Sequence, residues 1–145
     1  MSTVSTDDLQ RLHKRLADSR DGYEKAAEAA DAERFKELFS RRSAQRRAFA
    51  DKIRAELANR GEKPGADGTV TGATHRAWMG LAAAVGDSDR AVAAEVSRGE
   101  KHLLDTYDEL MDGLDPDNPL HSELSHQQSE IAKMVESTER MSAEG

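Results

Sequence analysis

Apolar positions in this chain recur at intervals that alternate between three and four residues. Leu9, Leu12, Leu16, Ser19, Tyr23, Ala26 and Ala30 fall on one face of a helix, the pattern of a helix packed lengthwise along another. Ser5 or Thr6 can cap this helix. Asp7 and Asp8 stand in its first turn, where the macrodipole favours negative charge. The spacing predicts a helix over residues 6–30. A second follows over 32–60, with Phe35, Leu38, Phe39, Arg42, Gln45, Arg46, Phe49, Ile53 and Leu57 on one face. Asp31 can cap it, and Gly61 supplies the left-handed position that commonly ends a helix. So short a turn makes the two helices antiparallel neighbours.

The stretch GEKPGADGTVTG, residues 61–72, breaks the periodicity and reads as a long loop. Loops of that length inside a domain are uncommon and often mark a crossover. A short helix is predicted over 73–85 and a long one over 88–112, capped by Asp87 or Ser88. The face of the long one is Val92, Val96, Gly99, Leu103, Thr106 or Tyr107, and Leu110, and Gly113 ends it. In the turn DPDNP, Asn118 can cap a last helix over 118–141, with Pro119 at its first position. That helix shows Leu120, Leu124, Gln127, Ile131, Met134, Thr138 and Met141, and the final SAEG is expected to fray. No strand pattern competes. The expected architecture is one all-α domain, 1–145: a four-helix bundle with one long crossover holding a short extra helix, the ferritin-like arrangement.

Composition fits narrow apolar stripes on otherwise polar helices: 37% of residues are hydrophobic, 4% aromatic and 34% charged. A net charge of −7 argues against non-specific binding to nucleic acid or to an anionic membrane. The basic run Arg41, Arg42, Arg46 and Arg47 has acidic residues on either side and no aromatic platform, so it reads as a solvated or ion-paired face. With no cysteine there is no disulfide framework, zinc–thiolate site or redox thiol. No secretory signal pattern opens the chain, and no segment nears the ~20 apolar residues of a membrane span. A cytoplasmic protein is expected. GADGTVTG lacks the Lys-Ser/Thr of a phosphate-binding loop and follows a helix rather than a strand.

The chemistry, if any, lies in a belt of polar and small residues on the inner faces near mid-length. Ser19 and Tyr23 stand on the first helix, Arg42, Gln45 and Arg46 on the second. Gly99 is flanked by Glu95 and His102 on the next, and Gln127 lies beside Gln128 on the last. Counted from the hairpin turns at about 1.5 Å per residue, Arg42 to Arg46 and Gln127 each sit roughly halfway up their helices, so the belt could form one layer. Bundles of this class can place a di-metal site there, built from a Glu on each of two helices and Glu-x-x-His on each of the others. The one Glu-x-x-His here is Glu123 with His126, and His126 lies off the core seam. The second helix offers Arg and Gln instead, and a guanidinium cannot ligate a metal. The candidates left for a metal are Glu24, Glu95, Glu100, His102 and Glu123, with Tyr23 beside them. The alternative is a hydrogen-bonded layer of Tyr23, Arg42, Gln45, Arg46 and Gln127, with Glu24, Glu28, Glu95 or Glu100 balancing the arginines. His13, His75, His102, His121 and His126 are too scattered to cluster. No catalytic residue set and no cofactor site can be assembled with specificity.

GATHRAWMGL, residues 72–81, holds the chain's single tryptophan. His75 and Trp78 share a helix face that Leu81, Ala82 and Val85 continue, so Trp78 is expected to anchor the crossover helix to the bundle. Arg76 points elsewhere and is placed to pair with an acid on the second or fourth long helix.

Gly22-Tyr23 through Ala26-Ala27, Leu38-Phe39, Gln45-Arg46, Phe49, Glu56-Leu57 and Gly61 form a recognisable run. It continues through Pro64, Gly68, Gly72, His75-Arg76-Ala77-Trp78 and Arg98-Gly99-Glu100 to about Tyr107. It resembles a bacterial family of unknown function with a ferritin-like four-helix-bundle domain. The resemblance covers about residues 5–112 and is carried above all by G-x-x-HRAW followed by RGE. It implies the bundle fold, a relation to ferritin-like proteins, no established reaction, and a loose link of some relatives with stress responses. Where members follow RGE with an acid, this chain has Lys101. The function expected is therefore that of a non-enzymatic bundle acting as a homodimer or other homo-oligomer, or through a protein partner. The competing expectation is a ferritin-like metal binder of di-iron or manganese type, or an oxidase, with a degenerate site. A third is a crossover helix that moves to expose an apolar groove for a small ligand or helix.

Overall fold

The computed structural model describes residues 4–62 and 89–144. Within them are four helices and no strand: α1 (Thr6–Ala29), α2 (Glu33–Asn59), α3 (Asp89–Met111) and α4 (His121–Glu144). The expected short helix at 73–85, the loop beyond Glu62, the caps at Asp87 and Ser88, and the anchor residues His75, Arg76 and Trp78 lie outside the described residues.

Contacts between side chains fix the direction of each helix. Arg15 donates to Thr106 and Ser19 to Glu100, so α3 runs opposite to α1. Arg42 donates to Thr138, and Lys52 meets Glu123 at 3.6 Å, so α4 runs opposite to α2. Tyr107–Gln127 and Lys101–Glu139 make α3 and α4 antiparallel. The order is up, down, down, up, with α2 and α3 parallel. The end of α2 and the start of α3 therefore lie at opposite ends of the bundle. Beyond α2, Arg60 donates to the Val4 carbonyl (2.7 Å), beside the start of α1. The first residue of α3, Asp89, accepts from the backbone N–H groups of Asp31 (2.7 Å) and Ala32 (3.0 Å), at the α1–α2 turn.

The termini follow the sequence in most places. Ser5 caps α1, its hydroxyl accepting from the Asp8 N–H at 3.1 Å. Gly61 (φ 75°) and Gly113 (φ 73°) take up the left-handed conformation. After α2 the Glu62 N–H reaches the Leu57 carbonyl and the Gly61 N–H the Ala58 carbonyl, both at 2.9 Å, a Schellman closure. Two starts differ. Asp31 does not cap α2; the capping position is Ala32, without a side-chain bond, and Asp89 from another helix supplies the acceptors. Pro119 precedes α4 instead of opening it. The Asn118 amide oxygen turns back to accept from the Leu120 N–H (2.9 Å), which closes a local turn and delays the helix to His121. At its far end α4 runs on to Glu144, past the expected stop at 141.

The inner faces bury two separate apolar clusters. One gathers Leu9, Leu12, Leu16, Phe49, Ile53, Leu57, Leu103, Tyr107, Leu124 and Ile131. The other is smaller: Tyr23, Ala26, Ala30, Phe39, Val92 and Val96. Between Leu16 and Tyr23 on α1, and between Phe39 and Phe49 on α2, the inward positions are Ser19, Arg42 and Arg46, and all three are buried.

Candidate functional site

The polar belt forms at the boundary between the two clusters. Its centre is an ion pair between Arg46 of α2 and Glu100 of α3, with both side chains at 0% exposure. Helical period puts Arg46 on the Phe39–Phe49–Ile53 face, which leaves it no route to water. Arg46 Nη2 donates to Glu100 Oε2, and the other carboxylate oxygen accepts from Ser19 Oγ at 3.0 Å. Arg46 Nη1 donates to Gln45 Oε1 and lies 3.5 Å from Met134 Sδ. The guanidinium carbon stands 5.3 Å from the Tyr23 ring centroid and 6.0 Å from that of Phe49, so aromatic faces add to its stabilisation. Burial opposes the Arg46 charge most strongly, but Glu100, Tyr23 and Tyr107 together outweigh it and hold the guanidinium above its ordinary pKa.

Beside the pair, Arg42 Nη1 donates to the Tyr23 hydroxyl (3.4 Å) and to Thr138 Oγ1. Thr138 Oγ1 in turn donates to the Met134 carbonyl at 2.7 Å. Burial, then the nearby Glu100 charge, push the Tyr23 phenol well above its usual pKa, so it stays neutral. About two helical turns away along α3, a second polar group interrupts the larger cluster. Tyr107 donates to Gln127 Oε1 (2.6 Å), and Gln127 Nε2 donates to Glu123 (2.9 Å). Burial likewise raises the Tyr107 pKa.

Of the expected layer, Tyr23, Arg42, Arg46 and Gln127 are buried and Gln45 is half-buried, and they stand at two levels. Gln127 belongs with Tyr107. Of the four acids that could have balanced the arginines, none pairs with Arg42, and Glu100 pairs with Arg46. The other metal candidates do not join it. Glu24 is exposed and 3.8 Å from Arg47, Glu95 pairs with Arg98 at 2.5 Å one turn away, and Glu123 is held by Gln127 and Lys52. His102 is half-buried on α3, and His126 is exposed, its ring edge-on to Phe49. Among the described residues no group of three His, Asp or Glu side chains is placed to hold a metal ion. Sliding α2 by a turn against α3 would strand the two charges of the buried Arg46–Glu100 pair.

Sequence reasoning missed Asp18. Next to Ser19 and outside the apolar stripe, it is nonetheless 5% exposed, and its carboxylate oxygens accept no hydrogen bond among the described residues. Burial, reinforced by Asp21, raises its pKa to about 6. Its only sequence signal is that it adjoins the polar belt.

The profile of a family described as a domain of unknown function (DUF2383) matches residues 4–113. No curated protein matches the chain. No solved structure matches it either.

Proposed function

The chain belongs to the DUF2383 family, and on that premise we propose that it is a ferritin-like bundle that works by association, not by catalysis at its centre. The partner is a second copy of the chain or another protein. One observation carries this reading. At mid-height, where a ferritin-like metal site would converge, stands the fully buried Arg46–Glu100 pair. A guanidinium there occupies the space of a metal, repels it, and engages the one carboxylate of the candidate set that points inward. The up-down-down-up order, which needs a crossover between α2 and α3, supports the ferritin-like relation. A cytoplasmic bacterial protein fits the family resemblance and the acidic, cysteine-free composition.

Light scattering across a wide range of protein concentration tests the association. A mass that rises to that of a dimer or a defined higher oligomer is expected. A monomer at every concentration, together with no partner recovered by cross-linking, would overturn the reading.

A further inference from the structure

Between α2 and α4 lies an open groove of about 410 Å³, within the ~300–1,000 Å³ range of small-molecule sites. Leu38 and Met134 give it apolar walls, while Arg41, Arg42, Lys133 and Glu130 bring charge to it. Lys133 and Glu130 stand 3.6 Å apart and offset each other. Arg41 and Arg42 leave the groove positive on a chain whose net charge is −7.

Arg42 is the telling residue. It is 4% exposed, yet no carboxylate pairs with it among the described residues; its partners are two hydroxyls, both on Nη1. One helical turn on, Arg46 is given Glu100 at similar depth. The Tyr23 ring, 5.8 Å from the guanidinium carbon, faces it as well, but no negative charge among the described residues does, and charged groups at such depth are normally paired. Both hydrogen bonds of the Arg42 side chain to described residues leave from Nη1, so Nε–H and Nη2–H take no acceptor there, and neither nitrogen is among the fully buried unpartnered atoms. These two donors form the edge of the fork that takes two oxygens of one anion side by side. One buried guanidinium suits a single negative charge, whereas a phosphate ester carries about −1.5 to −2.

We propose that the α2–α4 groove binds a small organic carboxylate with an apolar body, its carboxylate seated on Arg42 and its body against Leu38 and Met134. Arg41 and Lys133 draw the anion in from the rim. The assignment is independent of the association proposed above: ligand binding is read by heat and oligomerisation by mass.

The test is calorimetric titration of the full chain with sodium octanoate at low salt, with octanol and octyl phosphate as comparison probes. The expected result is saturation near one octanoate per chain, with octanol and the Arg42→Gln variant each weaker by about tenfold or more. Because Arg42 also bonds Tyr23 and Thr138, Arg42→Gln is checked for helical content. A second variant, Arg41→Glu with Lys133→Glu, alters only exposed side chains and should weaken octanoate by about fivefold at low salt. Octanol binding as tightly as octanoate, unchanged affinity in the rim variant, or tighter binding of octyl phosphate would overturn the assignment. So would octanoate failing to bind while Arg42→Gln abolishes oligomerisation, since the carboxylate would then belong to a protein.

Discussion

Replacing Glu100 by Met removes the one charge that pairs with Arg46 among the described residues. Both side chains are at 0% exposure, so the guanidinium would be left among Met134, Gln45 and the rings of Tyr23 and Phe49. Arg cannot shed its proton, so it has no escape by neutralising. Breaking a buried pair in this way costs about 3–5 kcal/mol. The hydroxyl of Ser19 also loses its acceptor, a smaller effect in the same direction. At roughly 3 °C per kcal/mol for a domain of this size, Tm should fall by about 10–15 °C. Arg46→Met should cost less, because a lone carboxyl can take up a proton. The double variant Arg46→Met, Glu100→Met buries no charge and joins the two apolar clusters. It should recover most of the loss or exceed the wild type, as buried pairs replaced by apolar side chains often do by ~1–4 kcal/mol. Thermal and urea unfolding of the four proteins closes a double-mutant cycle, with a coupling of at least about 2 kcal/mol expected. Single variants within about 2 °C of wild type, or a double variant whose loss equals the sum of the singles, would refute the reasoning.

Asp18 should make stability pH-dependent. Its folded pKa of about 6 lies above the ordinary 3.8, so between those values the folded state holds the proton that the unfolded chain has released. Stability from this group therefore falls as pH rises through that window and levels off above it. Asp18→Asn should raise Tm by a few degrees near neutral pH and leave it unchanged near pH 3.5; a Tm gain equal at both pH values would contradict this. Asp89 tethers the start of α3 to the α1–α2 turn through two charge-assisted bonds, so Asp89→Ala should cost about 1–3 kcal/mol, read by urea unfolding. Asp89→Asn should retain part of that. Ser5→Ala removes the α1 cap and should cost about 0.5–2 kcal/mol, with faster amide exchange confined to the first turn.

The helices were legible because the apolar stripe has one period throughout and the turn chemistry is unambiguous. Gly61 and Gly113 stop helices where only a positive φ closes the chain, and Ser5 starts one where a hydroxyl can reach the Asp8 N–H. The inward polar residues were legible for the same reason, since Arg42, Arg46 and Gln127 interrupt an otherwise apolar seam. Their partners were not. Period says which way Arg46 points but not which of several acids on facing helices meets it. That depends on the axial offset between α2 and α3, helices joined by a long connection. The same gap hid Asp89, whose carboxylate serves a helix start distant in sequence, and placed Gln127 at the wrong level, with Arg46 instead of Tyr107. Asp18 escaped because its burial comes from neighbouring elements rather than from the stripe of its own helix.

The buried Arg46–Glu100 pair closes the middle of this bundle, and on the proposed reading no metal enters there. Metal analysis of protein purified without chelator, then loaded with iron, manganese or zinc in air and under anaerobic conditions, addresses it most directly. Less than about a tenth of an equivalent per chain is predicted for each metal after desalting, with no change on Glu100→Met. One to two equivalents retained per chain, and lost in that variant, would contradict the account.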